Sequence, residues 1–166
     1  MNWEIFFDPA TLALYGEGVV TTLWLLASSL AIGAVMALLL ALALTGNVAP
    51  LRWVSSAYTY CIRGTPLLIQ IYLIYYGLAQ LEWIQSRWDD IWPWTYFKEP
   101  FFCALLAFAM NNAGYTAEML AGAIRETSAG EIEAAQAMGM SRWQIMRRLV
   151  LPSAMRRTLP DRKSVV

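Results

Sequence analysis

A chain of 166 residues that is 58% hydrophobic and 14% charged falls well short of the roughly 25% charge of an ordinary soluble domain. Its mean hydropathy of +0.46 points to a bilayer as solvent. With 12 Lys+Arg against 12 Asp+Glu it carries no excess of positive charge, and no nucleic-acid partner is expected. No histidine is present, which removes the commonest general base and the commonest metal ligand, so no metal site is expected. Cys61 and Cys103 lie in or beside apolar stretches without a partner at ligand spacing, and they read as small apolar filler.

In chain order, Trp3 to Tyr15 mixes Trp, Ile, Phe and Leu with Glu4 and Asp8. That mixture predicts a short helix lying on the outer membrane face. Val19 to Leu44 follows without a single charge. A spanning helix needs about 20 apolar residues, so this first span is long enough to tilt or protrude. No Lys or Arg precedes it and the run is too long for a signal-peptide core, which argues against a cleaved leader. The second span is expected over about 64–81, with Pro66 at a helix start, where its missing N–H leaves no bond unmade. Gln70, Tyr72, Tyr75, Tyr76 and Gln80 make it wetter than the first. Such groups face other helices or a water-filled path rather than lipid. The third span, about 101–120, opens after Pro100 and carries Asn111, Asn112, Tyr115, Thr116 and Glu118. A carboxylate at a helix centre costs about 2.5–3.5 kcal/mol on insertion scales. The cost is small if Glu118 instead sits at the cytoplasmic edge.

Lys and Arg set the orientation, because cytoplasmic loops carry the excess of positive charge. None precedes the first span, and the loop after it has Arg52 and Arg63. The loop after the second has only Arg87 and Lys98, beside Glu82, Asp89, Asp90 and Glu99. Eight follow the third span, from Arg125 to Lys163. The N-terminus is therefore expected outside and the C-terminal segment inside. Trp83, Trp88, Trp92, Trp94 and Tyr96 crowd the outer loop, as an aromatic belt at headgroup level would.

The cytoplasmic segment has its own pattern. Ser128 with Glu131 has capping-box spacing, and a helix fits 129–138 with Gly139 as its stop. Ser141 with Gln144 repeats the spacing and starts a second helix through about Leu151, which Pro152 is expected to end. Ala134, Ala135, Ala137 and Gly139 allow close backbone approach to a partner. The simpler reading is a solvated hairpin with a basic face on anionic lipid.

Glu133-Ala134-Ala135, then Gly139, then Leu151-Pro152 match the spacing of the EAA loop of bacterial ABC importer permeases, which this chain resembles. Leu149 stands where that family usually has Ile. Arg63-Gly64-Thr65-Pro66 and Tyr115-Thr116-Ala117-Glu118, with Ala121-Gly122-Ala123-Ile124 after the latter, resemble blocks of its polar amino-acid branch. Together with Gly130-Glu131-Ile132-Glu133 they are most similar to the subgroup for histidine, lysine, arginine and ornithine. Many members have Arg where Ala121 stands, and its loss suits a cationic substrate. The resemblance covers about 18–160. It implies an all-α, MetI-like fold of polytopic membrane helices in the bacterial inner membrane. It also implies that the 128–152 segment is a coupling helix gripped by a separate ABC ATPase dimer, which binds the ATP and Mg. A second permease subunit or second copy, and a periplasmic substrate-binding protein, are the other implied partners besides the lipid bilayer.

The chain has no Gly-x-x-x-x-Gly-Lys-Ser/Thr phosphate loop; its only lysines are Lys98 and Lys163. It is expected to be a transport subunit rather than an enzyme, with energy supplied by a partner. The family has about five spans and this chain three, which predicts a permease domain over 1–160 lacking its last helices. Asp161 to Val166 resembles the in-frame translation of a sequencing-library adapter, so the natural sequence is expected to stop at Pro160. For the substrate path the candidates are Asn111, Tyr115 and Glu118, with Gln70 and Tyr75 from the second span. The alternative for these polar groups is helix–helix hydrogen bonding, worth about 0.6 kcal/mol each. A secondary transporter or channel would explain the polar spans but not the EAA spacing. A membrane-embedded enzyme lacks the side chains it would need, and a fragment of three spans could also be inactive.

Overall fold

The computed structural model describes residues 8–77, 81–82 and 94–158. Among them the chain is helical, with no strand. The order is α1 (Pro9–Thr45), α2 (Ala49–Gly64), α3 (Leu67–Tyr72) running into a π turn (Leu73–Gly77), a 3-10 turn (Trp94–Lys98), and α4 (Pro100–Arg125). Then come α5 (Ala129–Ala137), α6 (Arg142–Ile145) with a π turn (Met146–Val150), and α7 (Leu151–Thr158). Residues 1–7, Gln80, Trp83, Trp88, Trp92, the Trp94 side chain and the 161–166 tail lie outside the described residues.

Leu and Ala, good helix formers, dominate α1, and Pro9 takes its first position, where a missing N–H is harmless. Its hydroxyls turn back on the backbone. Thr21 donates to the Glu17 carbonyl (2.9 Å), Thr22 to Gly18 (2.8 Å), Ser28 to Trp24 (2.6 Å) and Ser29 to Leu26 (3.0 Å). No polar side chain among these needs an outside partner. By length and composition α1 is the one helix among the described residues able to cross a membrane. The apolar stretch Leu67–Gly77 is shorter than a span. The 26 residues of α4 suffice in length, at about 1.5 Å each, but Asn111, Asn112 and Glu118 dilute its apolar character.

The chain divides into two compact units, Met1–Gly33 with Thr65–Met110, and Ala34–Gly64 with Asn111–Val166. In the first, aromatic rings do much of the packing. Tyr72 stacks on Tyr76 at 5.5 Å, Tyr75 meets Tyr76 edge-on at 4.7 Å, and Phe97 meets Phe102 edge-on at 5.2 Å. The buried Cys103 thiol donates to the Phe97 carbonyl at 3.3 Å. The second unit has a core of small residues: Ala37 and Ala41 on α1, Ala117 and Ala121 on α4, and Ala135, Ile145, Val150 and Ala154 on α5 to α7.

Three expectations need correction. The stretch carrying Arg52 and Arg63 is not a loop but α2, sixteen residues long. It buries Ser55 and Thr59 while Leu51, Trp53, Val54 and Tyr60 stand exposed. Hydropathy hid this helix because Arg52, Ser55, Ser56, Thr59 and Arg63 interrupt its apolar residues. The described part of Trp3–Tyr15 is no separate surface helix: from Pro9 it is continuous with α1, nothing after Pro9 being able to break it. Pro152 does not end the last helix, which runs on to Thr158. The π turn before it, with Leu151 N–H bonded to Met146 O, widens the helix where the proline ring would otherwise meet a carbonyl.

Candidate functional site

The finger formed by α5 to α7 is built by local signals. The Ser128 hydroxyl accepts from Glu131 N–H at 3.3 Å, which starts α5. The reciprocal half of the box is present only at Ser141. There Gln144 N–H donates to Ser141 Oγ (3.3 Å) and Ser141 N–H to Gln144 Oε1 (2.8 Å). Between the two helices Gly139 sits at φ +79°, a left-handed conformation that glycine adopts without steric cost and that, among side-chain-bearing residues, Asn and Asp tolerate best. Backbone bonds from Met138 N–H to Ala134 O and from Gly139 N–H to Gln136 O close the turn.

The finger has two faces. Ala135, Ile145, Val150 and Ala154 are buried in the core with the last turns of α1 and α4. Glu133, Ala134 and Pro152 are exposed and Leu151 is half-buried. Met138 (75% exposed) and Trp143 (66% exposed) flank the Gly139 bend. These two were not singled out from sequence. Spacing marks the motif, but only the fold shows which large apolar side chains it leaves uncovered.

The second constellation joins α2 to α4. Thr59, 1% exposed, donates its hydroxyl to Glu118 Oε1 at 2.7 Å. One turn away on each helix, Tyr115 Oη donates to the Arg63 carbonyl at 3.3 Å, and the Arg63 guanidinium stands 5.8 Å from the Tyr115 ring centre. Gly114 makes this approach possible: a Cβ there would lie 2.8 Å from Ile62 Cγ2. Sequence reading missed both Thr59 and Gly114, since neither residue type nor spacing marks a cross-helix contact. Glu118 also lines a cavity of about 530 Å³ with Leu44, Arg52, Trp53, Tyr60 and Arg125. Arg125 Nη2 reaches the Leu44 carbonyl at 3.5 Å, placing a cation at the C-terminus of α1 as the helix dipole favours.

The remaining candidates fall as follows. Asn112 Oδ1 accepts from Thr116 Oγ1 at 3.1 Å, and Asn111 is half-buried. Gln70 and Tyr75 belong to the first unit. The Gln70 amide donates to Thr65 O (3.0 Å) and Thr65 Oγ1 (2.8 Å), so it braces the Gly64-Thr65-Pro66 break that starts α3. Ala121, where the resemblance leads one to expect Arg, is fully buried.

A family profile described as binding-protein-dependent transport system inner membrane component matches residues 29–161, more than half of the chain. The chain belongs to this family. Relatives include the nopaline transport system permease protein NocM of Agrobacterium fabrum, 45% identical over 86% of this chain and 58% of its own length. The octopine transport system permease protein OccM of Rhizobium radiobacter is 42% identical over 93% of this chain and 63% of its own. The histidine/lysine/arginine/ornithine transport system permease protein HisM of Salmonella typhimurium is 40% identical over 86% and 60%. The chain thus spans about three-fifths of the length of these relatives. A crystal structure of an amino acid ABC transporter with histidines superimposes with TM-score 0.67 at 32% identity, over 89% of this chain and 65% of that one. The inner-membrane permease family and the all-α fold expected from sequence are therefore established.

Proposed function

We propose that this chain is the membrane-spanning permease part of an ATP-driven importer for basic amino acids, with no ATPase site of its own. Three segments, about 19–44, 64–81 and 101–120, cross the inner membrane with the N-terminus on the periplasmic side, and the 128–152 finger lies in the cytoplasm. A separate ATPase dimer grips the finger, a periplasmic binding protein delivers substrate, and a second permease subunit or second copy completes the path. Asn111, Tyr115 and Glu118, with Gln70 and Tyr75, supply polar groups along it. Relatives described as carrying histidine, lysine, arginine and ornithine support the basic substrate class.

The observation that carries this reading is the two-faced finger. One face is locked into the ends of α1 and α4, and the other presents Met138 and Trp143 around a rigid bend. A lever needs both: a fixed hold on the helices it moves and a free face for what moves it. When the ATPase pair closes, the finger shifts and the helix packing switches between two arrangements.

Gly139→Asp in the full-length permease tests it. Aspartate is among the side chains that best tolerate positive φ, so the bend survives while the docking face gains a negative charge. Amounts in the membrane should stay unchanged, and ATP-driven uptake should fall by about tenfold or more, the loss of a typical coupling free energy. Undiminished uptake would remove the finger from the mechanism.

A further inference from the structure

From Met140 to Thr158 the sequence carries five arginines and no carboxylate, and the fold sorts this charge. Along α6, the π turn and α7, Ile145, Val150 and Ala154 are buried, while Arg147, Arg148, Pro152, Met155 and Arg156 are exposed. An unbroken α-helix would splay the arginines, because positions eight apart are turned by about 80° at 3.6 residues per turn. The π turn Met146–Val150 removes that offset: one wide turn bonded over five residues and one ordinary turn together take about eight. Arg148 with Arg156, and Arg147 with Met155, are thereby aligned on the outer face. Among the described residues no carboxylate pairs with Arg147, Arg148 or Arg156.

The level of this face is set by its opposite side. Ile145, Val150 and Ala154 share one core with Ala37 and Ala41 of α1 and with Ala117 and Ala121 of α4. Ala37 precedes the end of α1 at Thr45 by eight residues, a rise of about 12 Å. The core therefore climbs into the inner ends of the proposed spans, and α6 and α7 stand beside those ends rather than hanging free below them. A cationic row at that level meets the phosphates of the inner leaflet. The bend that docks the ATPase lies elsewhere: from Trp143 to Arg156 is thirteen residues along the helix, roughly 20 Å.

We propose that Arg147, Arg148 and Arg156 form a docking face for the anionic phospholipid headgroups of the inner leaflet. The arm of the finger then rests on lipid while its bend is held by the ATPase. The inference rests on the importer reading for the side of the membrane, and goes beyond it in giving the finger a second partner. Guanidinium groups bind phosphate oxygens through forked N–H donors. Each arginine close to an anionic surface strengthens the contact about fivefold.

The test uses the full-length permease with its ATPase partner, with Cys61→Ser and Cys103→Ser, and with a fluorescent label on Met155→Cys. It is placed in phosphatidylcholine vesicles with or without about one-third phosphatidylglycerol, plus a trace of lipid bearing a nitroxide on its headgroup that quenches the label on contact. Quenching should be about twofold or more stronger with phosphatidylglycerol. Salt at about 1 M, where the Debye length shrinks to ~3 Å, should abolish the difference; these arms need no arginine variant. Arg147→Gln, Arg148→Gln and Arg156→Gln combined should abolish it too. Melting in neutral detergent should be unchanged, since all three side chains are exposed. Equal quenching in the two vesicles, whether strong or absent, overturns the proposal, and so does a triple variant that keeps the difference. Quenching seen only when the ATPase is left out assigns the face to the ATPase and overturns it as well. All these outcomes leave the importer reading standing. An impermeant maleimide that reaches Met155→Cys only from the periplasmic side overturns both.

Discussion

α1 and α4 are both long enough to cross a bilayer, and they are built on opposite plans. Along α1 the large side chains point outward: Leu23, Trp24, Val35 and Leu39 are all exposed, and only 22% of its most apolar window is buried. Along α4 the small residues Ala107, Ala113, Ala117 and Ala121 are completely buried, and they alternate with Asn112, Thr116 and Glu118, which bond to one another's helices or within their own. In water, burial selects the large apolar side chains. Here the order is inverted. Lipid is as apolar as leucine, so packing between helices is driven by close approach and polar contacts, which favour small residues at the interface. The same inversion appears on α2, with Ser55 and Thr59 inside and Trp53 and Tyr60 outside.

The comparison breaks most visibly at Ala117. Ala117→Leu forces three extra carbons into a site with no free surface. Overpacking of this kind costs about 1–3 kcal/mol, so the apparent melting temperature in detergent should fall by roughly 2–12 °C. Unchanged stability would mean the α4 interface is not close-packed. Next comes Gly114→Ala, whose Cβ meets the stiff, β-branched Ile62 at 2.8 Å. It should cost about 1 kcal/mol, and Ile62→Ala in the same chain should recover much of that loss, a coupling that a double-mutant cycle measures directly. Additive losses would place the two residues apart. The smallest effect belongs to α1. Val35→Ala trims a side chain that is 63% exposed and should stay within about 0.5 kcal/mol. A large loss there would show that the outer face of α1 is covered by protein rather than lipid.

How much of this was readable in advance varies by element. The caps at Ser128 and Ser141 and the stop at Gly139 were legible, because each depends on chemistry within four residues of chain. The finger's buried Ala135 and exposed Met138 were not separable, since both are compatible with the same helix. Helix α2 was read as a loop because a scan for apolar runs cannot recognise a helix whose apolar residues are interrupted by arginines and hydroxyls. Glu118 stood out as a carboxylate in an apolar stretch. Its partner Thr59 is fifty-nine residues away, and nothing in residue type announces such a contact. Gln70 was grouped with Glu118 on polarity alone, whereas its amide is bound to Thr65.

By itself the sequence determined the apolar composition, the helical class and the local caps of the finger. Each follows from composition or from bonds closed within a turn or two of chain. Only the tertiary structure decided which polar groups meet: Thr59 with Glu118, Arg63 with Tyr115, Arg125 with the end of α1. Those contacts join residues dozens of positions apart, and they depend on where small side chains let two helices touch. That is a property of the packed pair, written in neither helix alone.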